Sequence, residues 1–93
     1  MIKDILKSVC NSLHVEPKRL FATNKEEYVD ARALACQLLA EEGLTDSEIA
    51  RLFSVSRQCV NKLKNNFKGR CQCKWTLRMA YRKLHEEYCK KRE

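Results

Sequence analysis

The stretch TDSEIARLFSVSRQCVNKLKNNF, residues 45–67, allows few arrangements other than two short helices joined by a tight turn. Thr45-Asp46-Ser47-Glu48 has the residue types of a capping box, in which the Thr45 hydroxyl accepts from the Glu48 amide and the Glu48 carboxylate returns to the Thr45 amide. A helix starts there. Ile49, Ala50, Leu52 and Phe53 supply its packing face, and Ser54-Val55-Ser56 then breaks the period, a turn with Val55 as an inward plug. Ser56 suits the N-cap of a second helix. Within that helix Val60, Leu63 and Phe67 recur at i, i+3 and i+7 and face the core. Arg57, Gln58, Asn61, Lys62 and Asn65 fall on the opposite surface.

This pattern is that of a helix-turn-helix, whose second helix enters the major groove of double-stranded DNA while the first crosses the phosphate backbone. The side chains have the right chemistry, since Arg is bidentate to guanine, Gln and Asn to adenine, and Lys reaches phosphate or guanine. Thr45, Ser47, Ser56 and Lys64 are candidate backbone contacts, because hydroxyls and helix N-termini match phosphate. A polar outer face is more commonly just solvated. Here cap, plug, inner face and outer chemistry agree at once, which favours DNA.

Charge supports that choice. The net charge is +7, but residues 1–50 hold six Lys/Arg against nine Asp/Glu, while residues 51–93 hold thirteen against three. The basic half begins inside the motif, and a field of this sign speeds association with polyanions and supplies salt-sensitive affinity.

Taken in order, residues 1–14 place Ile2, Ile5, Leu6, Val9, Cys10 and Leu13 at helical spacing, an amphipathic core helix. Pro17 suits the first turn of a short helix, with Leu20 and Phe21 as anchors. Residues 22–26 read as a loop from which Asn24 caps a central helix over 27–42, ended by Gly43 as a left-handed residue. After Phe67, residues 68–74 read as a basic turn around Gly69. A final helix over 75–91 follows, with Leu77, Ala80, Tyr81, Leu84 and Tyr88 as its stripe and Trp75 at its start. With two glycines, one proline and no strand-like alternation, the expectation is one all-α domain over 1–93, with five to six helices around a central helix-turn-helix.

The order of elements resembles a known family. A leading amphipathic helix, a step at Val15 and Leu20, a helix carrying Val29, Ala31, Arg32, Leu34, Ala35 and Leu38, then the helix-turn-helix and a closing helix look like the C-terminal DNA-binding domain of the bacterial replication initiator DnaA. That domain has a Trp-repressor-like fold. The resemblance implies duplex DNA binding, with the recognition helix in the major groove and a basic loop before the central helix reaching the neighbouring groove or backbone. In that loop this chain has Asn24-Lys25-Glu26-Glu27, which leaves Lys25 and Arg32 as candidates. The initiator's G-G-R-D-H-[ST]-T-V-like opening is replaced by Ser54-Val55-Ser56-Arg57-Gln58-Cys59-Val60, so its site specificity does not carry over. No P-loop is present either, and the resemblance is to a free-standing relative, from a bacterium, phage or mobile element.

Six cysteines without an export signal point to reduced thiols, with Cys10, Cys36 and Cys59 as small core residues. Cys71, Cys73, His85 and Cys89 could gather around Zn²⁺, but the C-x-C spacing is tight and incidental surface thiols are the expected reading. His14 and His85 have no partner that spacing reveals, so no enzyme, cofactor or small-molecule substrate is expected. No apolar run approaches the roughly 18 residues needed to cross a bilayer. The opening MIKDILKSVC mixes charge into its apolar pattern, unlike a signal peptide, and a soluble cytoplasmic protein is expected. Sequence-selective duplex binding, in transcription regulation or as a replication accessory factor, is the first reading, with a homodimer or protein partner open. The rival is an interaction module docking an acidic partner, whose sign would be an exposed apolar patch rimmed by charge. Structured RNA is a weaker third, for want of stacking aromatics.

Overall fold

Ala31, Ala33, Leu34, Ala35, Cys36, Leu38 and Leu39 leave the helix they share almost no polar side, so other elements must surround it. The computed structural model, which describes residues 2–20, 22, 23 and 25–89, places it accordingly. α1 (Ile2–Leu13), α2 (Glu26–Glu41), α3 (Asp46–Phe53), α4 (Arg57–Cys73) and α5 (Trp75–Cys89) follow one another, with a 3₁₀ turn at Pro17–Arg19 between the first two. No strand occurs among the described residues, and the class is all-α as expected. α2 packs against each of the other four α-helices.

One core results. Ile5 and Val9 of α1, Leu34 and Leu39 of α2, Ile49 of α3, Val60 of α4, and Leu77 and Leu84 of α5 are all sealed from solvent. The small side chains of Ala31, Ala33, Ala35 and Cys36 along α2 let its neighbours approach closely, which is how so short a chain shares one apolar interior. The helix ends follow local chemistry. α2 closes in a Schellman turn, with Gly43 at φ 103, its N–H donating to Ala40 O at 3.1 Å and the Leu44 N–H to Leu39 O at 3.2 Å. The Ser8 and Tyr88 hydroxyls, 2.7 Å apart, tie α1 to α5.

In four places the fold departs from the sequence expectations. α2 begins at Glu26 with Lys25 as its N-cap residue; Asn24, expected to cap it, and Phe21, expected to anchor the preceding turn, lie outside the described residues. Residues 68–73 are helix instead of a basic turn, because α4 runs unbroken to Cys73. The cost of Gly69 inside a helix, about 1 kcal/mol, is offset by side chains on either side of it. Phe67 is buried, while Arg70 and Lys74 reach Asp30 of α2 at 2.8 and 2.7 Å. Trp75 does not join the α5 stripe but is 64% exposed, since Leu77, Ala80 and Leu84 take the core side and leave it opposite. Leu52, expected on the packing face of α3, is 43% exposed. The side chains of Ile2 and Cys89, and the last residues of the expected final helix, lie outside the described residues.

Candidate nucleic-acid interface

The helix-turn-helix is built by side chains that satisfy the backbone at each junction. At the start of α3 the Glu48 N–H donates to Thr45 Oγ1 at 3.2 Å and the Thr45 N–H to Glu48 Oε1 at 3.1 Å, the complete capping box. α3 ends at Ser54, which turns left-handed at φ 57, and the Val55 N–H closes back onto Ala50 O at 2.9 Å. Val55 packs half-buried against the core. Ser56 Oγ then accepts from the Cys59 N–H at 3.1 Å and starts α4. Three residues therefore separate the helices.

That geometry turns Val60 and Phe67 inward with Leu63 half-buried, and leaves Arg57, Gln58, Asn61, Lys62 and Asn65 exposed. The five are brought together. With Asn66 they line a shallow depression of about 390 Å³ containing no carboxylate. Asn66 is not among the residues expected from the sequence, although it stands four residues beyond Lys62 and eight beyond Gln58, the helical spacing that marks the rest of the face.

Acidic chemistry touches this face at one edge. Asp46, in the first turn of α3, accepts from Lys64 Nζ at 2.6 Å and Asn61 Nδ2 at 3.3 Å, and Asn61 Oδ1 in turn accepts from Asn65 Nδ2 at 2.8 Å. The Lys64 hydrogen bond holds the Asp46 carboxyl below its ordinary range. Lys64 is thus neutralised in the free protein, and Asn61 and Asn65 are held in a chain that fixes their rotamers.

The remaining candidates are spread out. Thr45, Ser47 and Ser56 are exposed at the two helix starts, with the Thr45 and Ser56 oxygens engaged in their caps. Lys25 is exposed beside Glu26, whose carboxylate meets Lys74 at 2.7 Å just past the end of α4. It therefore sits toward the opposite end of α4 from Arg57, a span of about 25 Å along a helix of this length. Arg32 serves the fold: its guanidinium donates to Leu20 O and Thr23 O and pins the chain entering α2. Arg70 and Lys74 form a buried-edge network with Asp30 and Glu26 that sequence spacing does not disclose.

Among the described residues no group of three or more His, Cys, Asp or Glu is placed to hold a metal ion. Of the four residues weighed for zinc, His85 Nδ1 lies 2.5 Å from Glu41 Oε1, Cys71 is half-buried, Cys73 is exposed, and the Cys89 side chain lies outside the described residues. Cys10 and Cys36 are buried as expected, and burial pushes the Cys36 thiol up to about 12. No described helix is long and apolar enough to cross a membrane.

Comparison with known proteins places the motif. The model of the homeodomain-like domain family matches residues 27–75, the span from α2 through α3 and α4 to the first residue of α5. No curated protein and no solved structure matches the chain. The matched span covers the three-helix unit onto which α1 and the rest of α5 pack, and it takes in more than half of the residues. The chain therefore belongs to the homeodomain-like domain family, and its helix-turn-helix speaks for DNA binding.

Proposed function

We propose that the chain is a sequence-selective double-stranded DNA-binding protein, acting as one cytoplasmic domain over residues 1–93 and as a binder, not an enzyme. α4 lies in the major groove. Arg57, Gln58, Asn61, Lys62 and Asn65, joined by Asn66, read base edges, while Thr45, Ser47 and Ser56 meet phosphates near the two helix starts. Lys64 becomes a phosphate contact once Asp46 releases it, and Lys25 reaches backbone at the far end. The observation that carries this reading is the carboxylate-free, exposed polar face on the second helix of a helix-turn-helix.

A role in transcription regulation or as a replication accessory factor is the finer part of the proposal. The 3₁₀ turn after α1, the long α2 and the closing α5 support the likeness to the initiator's C-terminal domain. Selection of bound sequences from a random duplex pool tests the whole reading. An enriched motif supports it, its symmetry reports one copy or two, and recovery of unenriched sequence would overturn the selectivity.

A second reading has its own observation. Trp75 and Met79, four residues apart, are 64% and 43% exposed on the outer side of α5, with Lys83 beside Met79 in the same concavity. An apolar patch rimmed by basic charge suits an acidic protein partner. Retention of the chain by an acidic partner, lost with Trp75→Ala and Met79→Ala together, is its test.

A further inference from the structure

Behind the polar face, where α4, α5 and α2 meet, lies an open groove of about 450 Å³, a size within the ~300–1,000 Å³ range of small-molecule sites. Its floor is aromatic. Phe67 and Tyr81 meet edge to face with ring centroids 5.1 Å apart, and the Cys71 side chain continues the apolar surface. The Tyr81 hydroxyl donates to Glu41 Oε2 at 2.5 Å, which leaves the ring as its contribution to the groove.

The rim has the opposite character. Lys68 and Arg78 line it, both are exposed, and neither side chain has a hydrogen bond or ion pair among the described residues. Neighbouring cations are neutralised within the fold: Lys64 by Asp46, Arg70 by Asp30, and Lys74 by Asp30 and Glu26. No carboxylate lines the groove. Burial raises the Cys71 thiol; the nearby Arg78 charge opposes that rise and the Asp30 charge adds to it.

We infer that this groove binds a small aromatic anion, its ring on Phe67 and Tyr81 and its carboxylate or sulfonate between Lys68 and Arg78. Aromatic rings gain from edge and offset contacts with such a floor, and an anion relieves the repulsion between two uncompensated cations. A cation would be repelled and an uncharged ring would leave the rim unanswered. Asn65 lines both this groove and the polar face of α4. Ligand binding in this groove does not rest on the DNA reading.

The test uses the full chain without DNA and the fluorescent aromatic sulfonate 1-anilinonaphthalene-8-sulfonate. Titration should show saturable binding to one site. Lys68→Ala and Arg78→Ala should each weaken it about tenfold, the low end for charge-assisted contacts because both cations are exposed. Lys83→Ala, on the other side of α5, should leave it unchanged. 1-Naphthoate should displace the probe and uncharged 1-naphthylamine should not. Far-UV circular dichroism checks each variant, and Lys68→Gln and Arg78→Gln replace any alanine variant that loses helicity. Absence of saturable binding, equal affinity in all variants, or equal displacement by the amine would overturn the inference.

Discussion

The carboxylate of Asp30 on α2 accepts from Arg70 Nη1 at 2.8 Å, across forty residues of sequence, and anchors the last turns of α4 to the centre of the molecule. Its second oxygen takes Lys74 Nζ at 2.7 Å, so one buried acid organises the junction between α4 and α5. Asp30→Ala should cost about 2 kcal/mol, less than the ~3–5 kcal/mol of a fully buried broken pair because both cations keep contact with water. Urea unfolding measures the loss. A midpoint equal to that of the wild type would show that the junction is held by its apolar contacts alone.

The two glycines should respond in opposite directions. Gly69 lies inside α4 with nothing within 4 Å of an added Cβ, so Gly69→Ala should stabilise by about 1 kcal/mol. Gly43 sits at φ 103, where a side chain is strained, and Gly43→Ala should destabilise by about 1–2 kcal/mol. Thermal melts of the pair check both signs. A destabilised Gly69→Ala would argue for a turn at that point.

Acid should weaken the fold through Glu41. Burial alone would raise this carboxyl, but hydrogen bonds from Tyr81, Gln37 and His85 outweigh burial and hold it below the ordinary 4.5. Asp46 is likewise held below 3.8, chiefly by Lys64. In each case the unfolded chain takes up its proton first on acidification. The stabilisation is therefore present above about pH 4.5 and is lost as pH falls through the folded-state values. Glu41→Gln should lower stability at neutral pH and flatten the acid limb of a plot of urea midpoint against pH. An acid limb as steep as the wild type's would assign the dependence elsewhere.

Asp46→Asn should tighten duplex DNA binding. It removes the carboxylate that occupies Lys64 at 2.6 Å and releases that ammonium toward phosphate. One more phosphate contact steepens the slope of log K against log salt by about 0.9. Fluorescence anisotropy at several salt concentrations reads both effects. Weaker binding by a variant of unchanged helicity would mean that Asp46 assists the interface by positioning Asn61.

What was legible in the sequence was local. Thr45, Glu48 and Ser56 declare caps because each acts within three residues of itself, and Gly43 ends α2 by its own backbone freedom. The outward set on α4 follows from periodicity, which also explains why Asn66 belongs to it. What escaped depends on distant partners. The continuation of α4 past Phe67 is secured by Asp30, and the masking of Lys64 by Asp46 joins residues eighteen apart. Exposure of Trp75 and Leu52 was hidden for a related reason: hydrophobicity names the residues that can be buried, whereas the neighbouring helices decide which of them are.

The most direct test of the central claim is the affinity of the chain for its selected duplex, measured from low to physiological salt alongside Arg57→Ala and Lys62→Ala. Binding should weaken steeply with salt. Arg57→Ala should cost about 1–3 kcal/mol and relax preference at one base position, while Lys62→Ala should weaken binding and reduce the salt slope by about one contact. A flat salt dependence, or affinities unchanged by both substitutions, would contradict the account.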